Sequence, residues 1–113
     1  MTPAEFRKLA LALPEVVESE HMDHPDFRVG GRIFATLHGK GERNGMVKVT
    51  PAQQKALVRA EPEAYSVGPG AWGRGGCTMV TLKAARKASV QQALVMAWRC
   101  TAPEKLVREH EPE

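Results

Sequence analysis

The sequence predicts an α+β domain in which an antiparallel sheet of about five strands carries three helices, packed mainly on one face. Residues 26–37 form two short alternating runs joined by Gly30-Gly31. Such a glycine pair predicts a two-residue hairpin, because both turn positions need a positive φ. Three helix-start patterns precede stretches whose apolar residues recur at helical spacing. The predicted order is therefore helix, three strands, helix, two strands, helix.

The predicted helices share a start signal. The first begins with Thr2, followed by a proline and by Glu5 in the capping-box position. Residues 50–53 repeat this pattern with a glutamine in place of the glutamate. The last helix is expected to begin with Ser89 as its cap, with a glutamine three positions later, and to bury Trp98 in the core.

The strands are predicted from the alternation of apolar and polar residues. A short first strand is expected near residues 16–20, ahead of the hairpin at 26–37. Residues 46–49 and 77–82 predict two more strands, and residues 63–67 form either a short strand or an irregular link.

The length of 113 residues suits a single domain, residues 1–113, and the charged residues 104–113 are expected to fray. No apolar run approaches the roughly 18 to 20 residues that cross a bilayer, and the N-terminus lacks a signal-peptide pattern. Cys77 and Cys100 are too few for a disulfide framework. The expected location is the cytoplasm, without a membrane partner.

Positive charge is concentrated in two parts of the chain. Residues 1–26 contain six acidic and two basic side chains, whereas residues 27–48 contain one acidic and five basic side chains. Residues 64–103 contain five basic side chains and no acidic one. Segregated positive charge indicates anionic partners.

Four stretches resemble the MmcQ/YjbR family of small bacterial proteins. They are residues 24–37 (His-Pro-Asp-Phe-Arg-Val-Gly-Gly-Arg-Ile-Phe-Ala-Thr-Leu), residues 50–54 (Thr-Pro-Ala-Gln-Gln), residues 69–76 (Pro-Gly-Ala-Trp-Gly-Arg-Gly-Gly) with Thr78, and Ala97-Trp98. The resemblance implies a fold similar to those of type III secretion chaperones and frataxin-like CyaY proteins. It also implies DNA binding, described for the family through two wing-like hairpins. One departure is Cys77, where the resemblance leads us to expect a bulky aromatic residue.

The glycine-rich loops at residues 39–45 and 68–76 are the wings in this interpretation, and they would contact DNA through its phosphates. The predicted nucleic-acid footprint comprises Arg28, Arg32, Lys40, Arg43, Lys48, Trp72, Arg74, Lys83, Arg86 and Lys87. Such contacts give salt-dependent binding of little sequence preference, with a Kd of about 10⁻⁴ to 10⁻⁶ M at physiological salt. The exposed basic side chains of the helices are scattered, so we expect no helix to read the major groove of DNA.

Other interpretations of the same residues stay open. The cations could be ordinary solvated charges that keep a small protein in solution. The chain could instead be a chaperone-like or adaptor module, or a homodimer, because the implied fold includes chaperones that dimerise and hold peptides. Trp72 could stack on a base, or it could fold back over an edge of the core.

The residues His21, Asp23, His24 and Asp26 form the densest group of metal-ligand or acid–base types. No fourth-ligand pattern or glutamate base accompanies them, and hydrogen bonds between loop and hairpin explain them more simply. The cysteines and serines lack the partners of an activated nucleophile. We therefore predict a non-enzymatic protein without metal or cofactor, whose partner is DNA or another polyanion.

Overall fold

The computed structural model describes residues 1–110, which contain six strands, five α-helices and two short 3₁₀ turns. The strands are β1 (Val17–His21), β2 (His24–Val29), β3 (Arg32–His38), β4 (Asn44–Lys48), β5 (Tyr65–Val67) and β6 (Cys77–Thr81). The helices are α1 (Pro3–Leu11), α2 (Pro51–Ala60), α3 (Gly70–Arg74), α4 (Lys87–Thr101) and α5 (Glu104–Glu109). The predicted α+β class is confirmed, but residues 1–110 contain six strands where about five were expected and five α-helices where three were expected.

All strand pairs are antiparallel, in the order β1-β2-β3-β4-β6-β5. Strand β4 runs from Asn44, which lies opposite Thr81, to Lys48, which lies opposite Cys77. We call these two ends of the sheet the Asn44 end and the Lys48 end. Within residues 1–110, no helix has both the length and the hydrophobicity needed to cross a membrane.

Local sequence signals account for several boundaries. Val29 pairs with Arg32 across Gly30-Gly31, and both glycines have positive φ, which confirms the predicted two-residue hairpin. Both Thr-Pro helix starts form complete capping boxes. The Thr2 hydroxyl accepts the Glu5 N–H at 3.1 Å, and the Glu5 carboxylate accepts the Thr2 N–H at 2.9 Å.

The core lies between one face of the sheet and helices α1 and α4. Helix α4 packs on β3 and β4, and α1 packs against α4. Phe6, Leu37, Val80 and Leu94 are essentially inaccessible there, and each such side chain contributes about 1.5–3 kcal/mol by burial. Trp98 is buried as predicted, and its indole N–H donates to the Pro14 carbonyl at 3.0 Å.

The C-terminal segment differs from the prediction. Residues 104–109 form α5 and bury Leu106 against the core, so apolar contact fixes a stretch that was expected to fray. Residues 111–113 of the predicted tail lie outside the described residues.

The predicted cap of the last long helix is also wrong. Helix α4 begins two residues before Ser89, and its capping residue, Arg86, makes no side-chain cap. Ser89 instead donates to the Glu61 carboxylate at 2.5 Å and lies 2.6 Å from the Tyr65 hydroxyl. Tyr65 is buried, so its hydroxyl group needs a hydrogen-bond partner. Ser89 makes this tertiary contact instead of capping the helix.

Strand register sorts alternate residues between the two faces of the sheet. Ala35 pairs with Val47, and Val47 with Thr78, so this row faces the helices. The next row, in which Met46 lies between Thr36 and Met79, therefore points to the opposite side. We call this opposite side the open face.

Gly76 joins α3 to β6 and should be intolerant of a side chain. It has φ +114°, and an added Cβ would overlap the carbonyl oxygen of Val49. We expect Gly76→Ala to destabilise the fold by about 3 kcal/mol or more, because both the backbone conformation and the close approach would have to change. Urea unfolding monitored by circular dichroism measures this loss.

The neighbouring Gly75 provides the control. It has φ −83°, and an added Cβ would meet only ordinary contacts at 3.4 Å or more. Gly75→Ala should change stability by less than about 1 kcal/mol. Equal effects of the two substitutions would contradict the close approach described for Gly76.

Candidate functional site

The open face contains a groove of about 580 Å³. Its lining is formed by His21, Met22, His24, Ile33, Thr36, His38, Met46, Lys48, Pro69, Ala71, Trp72, Gly75, Cys77 and Met79. Side chains from five strands and from two connecting segments therefore meet in one concave surface. Most of this lining is apolar, which is typical of ligand sites.

Two exposed apolar side chains project from opposite corners of the sheet. Met22 lies in the turn between β1 and β2, at the Asn44 end, and is 86% exposed. Trp72 lies in α3, at the Lys48 end, and is 70% exposed. Of the two alternatives for Trp72, folding back over an edge of the core is not what the structure shows, because Trp72 lines the groove and faces solvent.

Met22 occupies a backbone conformation that is uncommon for its type. It has φ +48°, followed by Asp23 with φ +64°, in the two-residue turn between β1 and β2. A non-glycine residue in this region costs on the order of 1–2 kcal/mol. The fold therefore holds an exposed methionine at the rim of the groove despite an unfavourable backbone geometry.

The segment that carries Trp72 is fixed from beneath. The buried side chain of Gln54 in α2 donates from Nε2 to the carbonyls of Gly73 and Cys77, at 2.9 and 3.0 Å. The Thr78 hydroxyl donates to the Gly76 carbonyl at 2.9 Å. These bonds tie α3 to α2 and β6, so Trp72 projects from an anchored support.

The groove has no carboxylate among its lining residues. Glu18 and Glu20 alternate with residues of the open face on β1 and so belong to the helix-covered side, where Glu18 pairs with Arg7 at 3.0 Å. The same Arg7 pairs with Glu42 at 3.3 Å. Lys48 contributes a cation to the lining, so the charge of the groove is positive.

Asp26 is the acidic residue that the register places on the open face, and it is fully buried and paired. Arg28 donates to both carboxylate oxygens, at 2.8 and 3.0 Å, and His21 Nδ1 lies 2.7 Å from Oδ2. The hydrogen bonds from Arg28 lower the pKa of Asp26, and the contact with His21 acts in the same direction. This network makes Asp26 and Arg28 a structural pair.

Three histidines line the groove, and one of them, His21, is part of this network. The ring centroids of His24 and His38 are 6.2 Å apart, and those of His21 and His24 are 6.5 Å apart. Burial lowers the pKa of His38, and the proximity of His24 adds to the effect, so both favour the neutral form of His38. Among residues 1–110, no group of three or more His, Cys, Asp and Glu side chains is arranged to hold a metal ion.

The two thiols do not show the features of an activated nucleophile. Burial raises the pKa of Cys77, which lines the groove, and also that of Cys100, near the end of α4. A raised thiol pKa reduces the thiolate fraction on which nucleophilic reactivity depends.

The structure brings some of the predicted nucleic-acid residues together and separates others. Lys48 and Trp72 line the groove, and Arg28 lies on the open face bound to Asp26. The others fall into three groups. Arg32 and Arg74 lie at the Lys48 end, and Lys40, Arg43 and Lys83 lie at the Asn44 end. Arg86 and Lys87 lie at the start of α4, on the helix-covered side.

The two glycine-rich loops lie at opposite ends of the sheet and differ from the expected hairpin wings. Residues 39–45 connect β3 to β4 at the Asn44 end through a 3₁₀ turn, and residues 68–76 contain α3 at the Lys48 end. They therefore flank the groove along the strand direction. The distance between them is about 14 Å over the five residues of β4.

Sequence reasoning missed the groove itself. Its floor is formed by Ile33, Met46, Met79 and His38, none of which carries a recognisable motif. The available signal was that apolar residues occur on both faces of the same strand, as in residues 44–48 and 77–81. Strands with apolar residues on both faces are often buried on both sides, and here one side is left open.

Comparisons with known proteins agree with this fold. A family model described as YjbR matches residues 11–100. The chain belongs to the YjbR family. The expected MmcQ/YjbR membership is thereby confirmed. A search of curated proteins gave no match.

A solved structure resembles this YjbR-family chain in fold. It is the crystal structure of the Deinococcus radiodurans protein DR2400, whose domain is described as DUF419. The TM-score is 0.76 at 20% sequence identity, over 88% of this chain and 77% of the other. At that identity the likeness concerns the fold.

Substitution of Arg28 tests how much the ion pair with the buried Asp26 carboxylate contributes to the stability of the fold. The pKa of Asp26 is lowered in the folded state, so its stabilising contribution is present above about pH 3.9 and is lost as pH falls through the lowered value. We expect Arg28→Met to lower the melting temperature at pH 7. The difference from the parent should shrink as pH falls below about 4, because the contribution of Asp26 is lost between its unfolded pKa and the lowered pKa of the folded state.

Arg32→Met is the matched control, because Arg32 lies at the exposed hairpin turn and has no ion pair within residues 1–110. It should leave the melting temperature nearly unchanged throughout. Thermal unfolding by circular dichroism between about pH 3 and pH 7 measures both variants. A pH-independent loss in Arg28→Met would contradict the role assigned to Asp26.

Proposed function

We propose that this YjbR-family chain is a non-enzymatic, cytoplasmic protein that binds nucleic acid on the open face through phosphate contacts at both ends of the groove. The observation that carries the proposal is the charge of this face. Lys48 lines the groove and no carboxylate does. Asp26 is buried and paired with Arg28. Acidic side chains of β1 lie on the opposite side.

The cations at the two ends supply the phosphate contacts in this proposal. Arg32 and Arg74 lie at the Lys48 end, and Lys40, Arg43 and Lys83 lie at the Asn44 end. All five are exposed, and none has an ion pair within the described part of the chain. Neutralising phosphates releases condensed counterions, so the affinity would fall steeply with salt.

The proposal does not include reading of the major groove by a helix. The apolar face of helix α4 packs against the core, and α3 and α5 are only five and six residues long. Phosphate contacts position a protein on nucleic acid without reporting its sequence. The expected binding is therefore of low sequence preference.

A second candidate function is a protein-interaction module, and the exposed Met22 and Trp72 support it. Methionine-lined apolar surfaces adapt to varied peptides. The charge pattern favours nucleic acid, because an apolar peptide has no anionic groups to pair with the cations at both ends of the groove.

The salt dependence of DNA binding tests the proposal. We expect a triple variant, Arg32→Gln, Lys48→Gln and Arg74→Gln, to bind a short labelled DNA duplex more weakly than the parent. Each lost phosphate contact should reduce the slope of log K against log salt by about 0.9. The slope of the triple variant should thus fall by roughly 2.7, measured by fluorescence anisotropy between about 50 and 200 mM salt.

A variant with the same net charge separates site binding from general electrostatic attraction. Lys8, Lys55 and Arg59 are exposed and lie in α1 and α2, away from the groove. Their triple glutamine variant should keep most of the parent affinity and slope. Equal losses in the two triple variants would overturn the proposed footprint.

A further inference from the structure

We propose that the groove on the open face holds the unpaired bases of a single-stranded nucleic acid, with Trp72 stacking on one of them. This inference rests on the proposed function and specifies the form of nucleic acid that the same site takes. It follows from the combination of an apolar floor, an exposed indole and cations at both ends.

The apolar floor is the first step of the argument. Ile33, Met46 and Met79 line the groove and offer no charged group to a phosphate. A duplex presents its phosphates outward and keeps the faces of its bases stacked inside, so it would leave these side chains without a partner. A single strand presents flat apolar base faces, which is how sheet surfaces bind unpaired bases.

The exposed indole is the second step. Trp72 is 70% exposed while it lines the groove, and the bonds from Gln54 hold its segment in place. Because the backbone of this segment is held, a base that stacks on the indole would not have to order the segment. Met22, at the opposite corner, offers a second flexible apolar contact.

The charge pattern is the third step and selects the occupant. The lining contains Lys48 and no carboxylate. The basic groups at the Lys48 end and the Asn44 end are separated by the length of β4, about 14 Å. A short single strand laid along the strand direction would place bases over the groove and phosphates near both ends.

Tryptophan fluorescence tests the inference directly, because Trp98 is 3% exposed and Trp72 is accessible. The probes are an oligothymidylate of about ten nucleotides, within the site sizes of single-strand-binding folds, and an abasic oligonucleotide of equal length and charge. At low salt the oligothymidylate should quench the Trp72 emission and bind about tenfold or more tightly than the abasic strand.

Substitution of Trp72 should affect one probe and spare the other. Measured by fluorescence anisotropy of the two labelled strands, Trp72→Ala should weaken oligothymidylate binding by about 5- to 150-fold, the range expected for one lost stacked base, and leave abasic binding unchanged. Trp72→Phe should restore most of the affinity. Val67→Ala is the control, because Val67 is exposed at the edge strand on the helix-covered face, and it should change neither affinity.

The outcomes distinguish this inference from the proposed function. Equal affinity for both strands, unaffected by Trp72→Ala, would overturn the inference and leave phosphate binding intact. Absence of binding to either strand and to a duplex at low salt would overturn both. A response of Trp72 emission to a neutral apolar peptide, without a response to oligothymidylate, would assign the groove to a protein partner and overturn the inference.

Discussion

Strand register is the constraint on which the rest of this structure depends. Because side chains alternate between the faces of a sheet, the pairing of Met46 with Thr36 and Met79 fixes which residues enter the core and which form the groove. A slip of one residue in β4 would exchange Val47 with its neighbours and invert both surfaces. The core and the candidate site are thus two results of the same pairing.

The same constraint separates the charges. On β1, Glu18 and Glu20 alternate with Ser19 and His21, so both carboxylates lie on the helix-covered side, where Glu18 pairs with Arg7 of α1. On β2, Asp26 falls on the open face but is buried between Arg28 and His21. An acidic N-terminal region therefore contributes no free carboxylate to the groove lining, although it supplies one of the strands that form it.

Features encoded locally could be predicted from the sequence. The Gly30-Gly31 turn needs positive φ at two adjacent residues, and Thr2 and Thr50 cap helices through residues three positions away. These signals lie within a few residues, so composition and spacing suffice. The burial of Trp98 followed in the same way from a helical apolar stripe.

Features that depend on distant contacts could not be predicted in this way. The outward position of Trp72 depends on Gln54, eighteen positions earlier in the chain, and on the close approach of Gly76 to Val49. Ser89 matched a capping pattern but bonds with Glu61 and Tyr65 instead. The groove requires the pairing of β3, β4 and β6, which local spacing does not encode.

The methionines of the groove have a consequence for its chemical durability. Three thioethers, those of Met22, Met46 and Met79, contribute to one surface, and Met22 is almost fully accessible to solvent. Oxidation to the sulfoxide would turn an apolar contact into a polar, chiral one and would proceed first at Met22. Mass mapping after mild peroxide treatment would order the three sites. Since sulfoxides can be enzymatically reduced, oxidative damage at this surface would be reversible without refolding the domain.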